Sequence, residues 1–163
     1  MQKKIGLILL IGLLLSLSGI GWAGNAANQT VTFQVNAINE ISVSGNPASL
    51  VVNTATAGSD PDQVSDSSTS YNITTNGSTK KITGQIDTTM PTATALTVNL
   101  TAPTGGTSQG DVSLSATPAN LVTGITKKKG SNLSITYKFS ATVDAGIITS
   151  STRTATLTIL DGP

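Results

Sequence analysis

The stretch "NLSITYKFSATV", residues 132–143, carries the clearest secondary-structure signal in this chain. Its even-numbered positions are polar, and its odd-numbered positions hold Leu133, Ile135, Tyr137, Phe139, Ala141 and Val143. Because successive side chains of a strand point to opposite faces, the alternation predicts a long β-strand with one buried face. We expect it to form the centre of the fold together with a strand at 150–160, which follows after Asp144-Ala145-Gly146.

Shorter strand patterns recur on both sides of this stretch, and no segment of ten or more residues shows helical periodicity after residue 23. The other predicted strands are 29–36, 40–44, 48–53, 69–75, 79–87, 95–101, 111–116 and 120–125. Many short strands separated by turn residues are typical of a β-sandwich or barrel. Residues 55–69 have the weakest pattern and are predicted to form a long exposed loop.

One turn can be predicted in detail. Asn76-Gly77 is the preferred pair for a two-residue type I′ hairpin turn, in which both residues have positive φ. Such a turn places Tyr71 opposite Ile82 across the hairpin. Both side chains are large and apolar, so the register set by the turn agrees with the hydrophobic pattern.

The first 23 residues have the parts of a secretory signal peptide in order. Lys3 and Lys4 precede an apolar run over 5–15, and Gly21-Trp22-Ala23 offers a cleavage site with small residues. The apolar run is shorter than the ~20 residues that span a bilayer, which disfavours a retained membrane anchor. We therefore expect a signal peptide at 1–23, a single β domain at 24–163, and a secreted or cell-surface protein without a membrane segment after cleavage.

Composition excludes several classes of function. The chain has no His and no Cys, which removes Ser-His-Asp and Cys-His catalysis and the usual zinc and copper ligand sets. After residue 23 there are 7 basic and 8 acidic residues, so no broad basic surface exists for nucleic acid. The same part holds 27 Thr and 17 Ser, which suit the solvated faces of a sheet. We expect neither an enzyme nor a cofactor.

A short acidic segment leaves two interpretations open. Asp60, Asp62 and Asp66 lie within seven residues and offer oxygen ligands of the kind that Ca²⁺ prefers. The segment lacks the Gly and the bidentate Glu of a helix–loop–helix calcium loop, and Asp-Pro and Asp-Ser also favour plain solvated turns.

The segment 28–36 raises the question of function. Val31, Phe33 and Val35 alternate with polar residues and give a strand that is apolar on one face, directly after the cleavage site. No Gly or Pro follows at 36–39 to turn the chain back. The segment can pair with its own sheet, with Phe33 among the buried aromatic residues, or it can add a strand to a neighbouring molecule.

Three stretches resemble one family. Residues 28–35 following a signal peptide resemble the N-terminal donor strand of alpha-fimbrial major pilins, residues 75–82 look like a hairpin of these pilins, and 154–159 is similar to their last strand. The resemblance implies an all-β, immunoglobulin-like antiparallel β-sandwich of about 8–10 strands. It also implies subunits joined by strand donation, and no catalytic site.

Two functions follow as expectations. The first is a secreted structural subunit of a bacterial surface filament or layer that associates with itself through Val31, Phe33 and Val35. The alternative is a monomeric secreted β-sandwich module that binds carbohydrate or another surface. The sequence identifies no small-molecule ligand.

Overall fold

Nine β-strands and one short 3₁₀ turn, Val143–Ala145, make up the regular structure of the computed structural model, which describes residues 24–162. The strands are β1 Asn39–Val43, β2 Val64–Thr75, β3 Lys80–Ile86, β4 Thr94–Leu100, β5 Thr107–Ser108, β6 Val112–Ser113, β7 Ala119–Ile125, β8 Lys128–Ala141 and β9 Ala155–Asp161. The predicted signal peptide at 1–23 lies outside the described residues. Within them, no helix is long and apolar enough to cross a membrane.

The strands form two antiparallel sheets. The first has the order β1-β2-β8-β4-β6 and the second the order β5-β7-β3-β9. Buried side chains from both sheets form one hydrophobic cluster. The all-β prediction is confirmed, and two sheets that share one core are consistent with a β-sandwich.

The stretch that opened the sequence analysis forms the middle of the first sheet, as predicted. β8 pairs with β2 on one side and with β4 on the other. Ile135 and Tyr137 are buried, and Leu133 and Phe139 are half-buried on the same face. The strand begins at Lys128, earlier than expected, because Lys128, Lys129 and Gly130 pair with β2 around a bulge.

The last strand, β9, does not lie at the centre of the fold. β9 lies at the edge of the second sheet, where it pairs only with β3, so the prediction that it forms the centre of the fold together with the strand at 132–143 is wrong. The 3₁₀ turn and residues 147–154 carry the chain from one sheet to the other. Residues 150–154 are not part of the strand, because β3 ends at Ile86, opposite Ala155.

The core is aliphatic and draws on strands that are far apart in sequence. Its most completely buried side chains include Tyr71, Ile82, Leu100, Leu121, Val122, Ile125 and Ile135. Burying each of these contributes about 1.5–3 kcal/mol relative to an exposed position. Without disulfides, this packing and the strand pairing hold the fold together.

The hairpin predicted at Asn76-Gly77 is wrong. Neither residue has positive φ; in this connection Thr79 does, with φ 49°. β2 and β3 belong to different sheets, so residues 76–79 cross between sheets, and Tyr71 and Ile82 are both buried without being paired strand neighbours. The Asn76 side chain does not serve a turn. It accepts a hydrogen bond from Ile38 N at 2.8 Å and donates one to Asn36 O at 2.7 Å.

Three further assignments need correction. The predicted loop 55–69 ends early, because β2 begins at Val64 and bulges between Asp66 and Thr69. Residues 48–53 form no strand, since no neighbouring backbone pairs with them. The strand predicted at 111–116 is reduced to Val112–Ser113, at the edge of the first sheet.

Two isoleucines test this core. Ile135→Ala should lower the free energy of unfolding by about 2–5 kcal/mol, because it removes a fully buried side chain and leaves a cavity. The matched control is Ile147→Ala, since Ile147 is 99% exposed and its loss should change stability by less than about 0.5 kcal/mol. Urea denaturation of both variants measures the difference. Equal losses of stability in the two variants would contradict the assignment of β8 to the core.

Candidate functional site

The N-terminal segment presents its apolar face to solvent. The chain divides into an N-terminal unit that ends at Gln34 and a β domain that begins at Val35. Val31, Phe33 and Val35 are 75%, 89% and 77% exposed. Residues 29–36 form no strand, so the strand prediction and the placement of Phe33 in the chain's own core are both wrong for the single chain. A segment with an alternating pattern forms a β-strand only when it pairs with a neighbouring strand.

The point where this segment joins the β domain is held by one side chain. The two bonds from Asn76 hold Asn36 and Ile38 beside the connection between β2 and β3. β1 follows at Asn39, and Thr75 Oγ1 donates a hydrogen bond to Asn39 Oδ1 at 2.7 Å. The segment therefore enters the domain at the end of β1 that lies next to Asn76.

The β domain contains a large groove of about 1450 Å³. Its apolar lining includes Leu50, Leu96, Ile135, Tyr137, Phe139 and Leu157. These residues come from β4 and β8 in the first sheet, from β9 in the second, and from the irregular segment after β1. The groove is an opening in the hydrophobic core, at the side where the second sheet ends with β9.

One wall of the groove is a strand edge with free backbone groups. In an antiparallel pair, residues alternate between those that bond to the partner strand and those that point away from it. Asp87 N donates to Thr154 O, and Gly162 N donates to Thr79 O, so the even-numbered residues of β9 face β3. The odd-numbered residues Ala155, Leu157 and Ile159 therefore direct their N–H and C=O groups to the open side.

The opposite wall of the groove is also a strand edge with free backbone groups. Ser44 N donates to Ser70 O, so Ile41 and Val43 of β1 direct their backbone groups away from β2. The chain then continues along the groove through residues 45–53, which make no backbone-to-backbone hydrogen bond within the described part of the chain. Leu50 in this segment packs against the core, and Val51 is 58% exposed.

Arg153 stands at one end of the groove. Its Nη2 donates to Thr89 O at 3.1 Å, and its Nη1 donates to Thr152 O at 2.8 Å and to Ser151 Oγ at 3.1 Å. These bonds tie residues 151–153 to the loop before β4. Arg153 is thus held as part of the wall.

The two tyrosines of the core have perturbed acidity. Burial raises the pKa of Tyr71 to about 12, and burial also raises the pKa of Tyr137, which lines the groove. The Tyr71 hydroxyl donates a hydrogen bond to Thr101 O at 2.6 Å. Both phenols are therefore neutral at physiological pH and act as packing residues.

Two of the three aspartates considered for calcium have other side-chain partners. Asp60 Oδ1 accepts a hydrogen bond from Val143 N at 3.0 Å, and Asp66 Oδ2 accepts one from Ser68 Oγ at 2.8 Å. The bond from Ser68 is the main cause that lowers the pKa of Asp66. Within residues 24–162, no cluster of three or more His, Cys, Asp or Glu side chains is arranged to hold a metal ion.

Comparison with protein-family models, with curated proteins and with solved structures finds no match for this chain. The features of the described chain that bear on function are the groove, its two backbone edges and the exposed N-terminal segment.

The apolar face of the N-terminal segment can be predicted from the sequence, but the groove cannot. Val31, Phe33 and Val35 were recognised by their alternation, whereas the groove was not. The residues that line the groove come from separate segments of the chain. In the sequence, each of them has the pattern of an ordinary core residue.

The tyrosines give a pH test of this packing. Because the unfolded chain loses its phenolic protons at about pH 10 and the folded chain only at higher pH, stability should fall as the pH rises from about 10 toward 12. Tyr71→Phe should remove most of this dependence. Phenolate absorbance measures the ionisation of the tyrosines, and urea denaturation measures the free energy of unfolding. Ionisation of both tyrosines near pH 10 in the folded chain would contradict their burial.

Proposed function

We propose that this protein is a secreted structural subunit of a surface filament or layer, in which the N-terminal segment of one copy fills the groove of the next. In this proposal the domain is an immunoglobulin-like sandwich that lacks one strand. The observation that carries the proposal is that one chain holds both an exposed apolar segment and an open apolar groove. Val31, Phe33 and Val35 supply the side chains that the groove requires.

Backbone complementarity supports the same proposal. A strand entering the groove meets unpaired N–H and C=O groups at Ala155 and Leu157 of β9 on one side and at Ile41 and Val43 of β1 on the other. Exposed strand edges of this kind accept an added strand. The N-terminal segment brings backbone N–H and C=O groups together with the apolar side chains of Val31 and Phe33.

The attachment of the segment favours a second copy over the chain's own groove. To enter its own groove, the chain would have to reverse its direction near residues 36–38. Those residues include neither Gly nor Pro, and Asn76 binds the backbone of Asn36 and Ile38. Insertion into a neighbour needs no such reversal, and it joins the copies head to tail in an arrangement that need not close.

The alternative of a monomeric carbohydrate-binding module has less support. Sugars stack on exposed aromatic rings, but Tyr71 is fully buried and Tyr137 is 8% exposed. The one highly exposed aromatic residue of the described chain, Phe33, lies in the N-terminal unit with aliphatic rather than aromatic neighbours. A groove of about 1450 Å³ also exceeds the volume of about 300–1,000 Å³ that is usual for small-molecule sites.

A charge at position 33 tests the proposal. Phe33→Asp should abolish assembly, because an unpaired carboxylate would have to enter an apolar groove. Its melting temperature as a monomer should not change, since Phe33 is 89% exposed. The control is Thr32→Asp, which places the same charge on the other face of the segment. Light scattering and negative-stain microscopy of the mature protein measure assembly.

The comparison with the control decides the outcome. We expect filaments or oligomers with the unsubstituted protein and with Thr32→Asp, and monomers with Phe33→Asp. If the unsubstituted protein stays monomeric at millimolar concentration, or if Phe33→Asp assembles normally, the proposed function is wrong.

A further inference from the structure

The charged side chains of the β domain are separated by sign along its strands. Five of the seven basic residues described lie at the end of the domain where β2 connects to β3 and β7 connects to β8. They are Lys80, Lys81, Lys127, Lys128 and Lys129. The two connections lie side by side, because Lys127 N donates a hydrogen bond to Gly77 O at 2.8 Å. We call this end of the domain the basic end.

Two acidic residues lie at the basic end and leave it with an excess of positive charge. Asp161 pairs with Lys80, and Glu40 lies near the start of β1, beside the end of β2. The charges of the basic end therefore sum to +3. Lys127 and Lys129 are exposed, and neither has an ion-pair partner within the described part of the chain.

The opposite end of the domain, which we call the acidic end, lies where β2 and β4 begin and where β3 and β8 end. The pairing of β8 with β2 and β4 brings three of these strand ends together, and the short connection from β3 to β4 adds the fourth. Five aspartates lie there: Asp60, Asp62, Asp66, Asp87 and Asp144. Arg153 lies at the same end, so its charges sum to −4. The last two charged residues described, Lys138 and Asp111, pair with each other.

The groove and the attachment of the N-terminal segment lie at opposite ends of this charge distribution. The lining of the groove includes Ala141 and Val143 near the end of β8 and Arg153 before β9, and it includes none of the charged residues of the basic end. The groove therefore reaches the acidic end. The N-terminal segment joins the domain beside Asn76, at the basic end.

We propose that the basic end of one copy docks against the acidic end of the next copy, and that these charges select the head-to-tail arrangement. This inference rests on the proposed function and adds the docking surfaces and the polarity of the assembly. In a head-to-tail contact, a sum of +3 faces a sum of −4. A symmetric contact between two basic ends or between two acidic ends would oppose like charges, which is unfavourable.

The charges identify a second copy of this chain as the partner. The two sums nearly neutralise each other, and the same contact brings the attachment point of one N-terminal segment to the end of the neighbour that the groove reaches. Within residues 24–162, the aspartates form no group arranged to hold a metal ion. The lysines form a local excess and not a broad basic surface, because the chain after residue 23 has a net charge of −1.

Reversing the charge of each end tests the docking in the full mature protein. One variant combines Lys127→Glu with Lys129→Glu, which changes the basic end from +3 to −1. The other combines Asp62→Lys, Asp87→Lys and Asp144→Lys, which changes the acidic end from −4 to +2. In each variant both ends have the same sign. The concentration needed for assembly should therefore rise at least about tenfold in about 50 mM salt.

A mixture of the two variants gives the decisive measurement. In the mixture, each end of one variant meets an end of opposite sign on the other variant. We therefore expect the two proteins to assemble together at concentrations at which neither assembles alone. A chain that carries all five substitutions should also assemble, because its two ends again have opposite signs. Light scattering and negative-stain microscopy measure assembly.

Two controls separate docking from general effects of charge. Lys138→Glu combined with Asp111→Lys reverses two charges but leaves both ends unchanged, so this variant should assemble like the unsubstituted protein. Raising the salt concentration to about 0.5 M should reduce the differences among the variants, because salt screens exposed charges. The side chains replaced at the two ends are exposed, and melting curves verify that each variant folds.

The outcomes distinguish the two proposals. If the variants with one reversed end assemble like the unsubstituted protein in about 50 mM salt, or if their mixture does not assemble, the docking of opposite charges is wrong. Strand insertion then still stands, provided that Phe33→Asp abolishes assembly. Failure of the unsubstituted protein to assemble would overturn both proposals.

Discussion

The unpaired edge of β9 is the constraint from which the rest of the site follows. β9 pairs only with β3, and its odd-numbered residues direct their backbone groups into the groove. The same residues, including Ala155 and Leu157, turn their side chains toward the core. A strand added there would satisfy the backbone edge and close the core in one step.

The surface around the edge of β9 explains how this protein can leave one sheet edge unpaired. The solvated faces of the strands are rich in Thr and Ser, and both ion pairs of the described chain, Lys80–Asp161 and Lys138–Asp111, lie outside the apolar groove. Lys138 and Asn99 both donate to Asp111, and the bond from Lys138 is the main cause that lowers the pKa of this carboxyl group. Polar faces limit unspecific contacts of the rest of the surface.

Local patterns in the sequence predicted strands well and connections poorly. The alternation at 132–143 is strong enough to identify the central strand, because burial of one face imposes a period of two. Asn76-Gly77 has the right residues for a tight turn, but β2 and β3 belong to different sheets and Asn76 binds the chain before β1 instead. The exposed segment was predictable from Val31, Phe33 and Val35. The groove was not, because it forms only when β1, β8 and β9 come together from distant parts of the chain.

Amide hydrogen exchange along β9 tests the central claim most directly. It compares the assembled protein with the monomeric Phe33→Asp variant. We expect the amides of Ala155 and Leu157 to exchange fast in the monomer and slowly after assembly, whereas Thr156 and Thr158, which face β3, are protected in both. Fast exchange of Leu157 in the assembled protein, or full protection of Leu157 in the monomer, would contradict insertion of a strand beside β9.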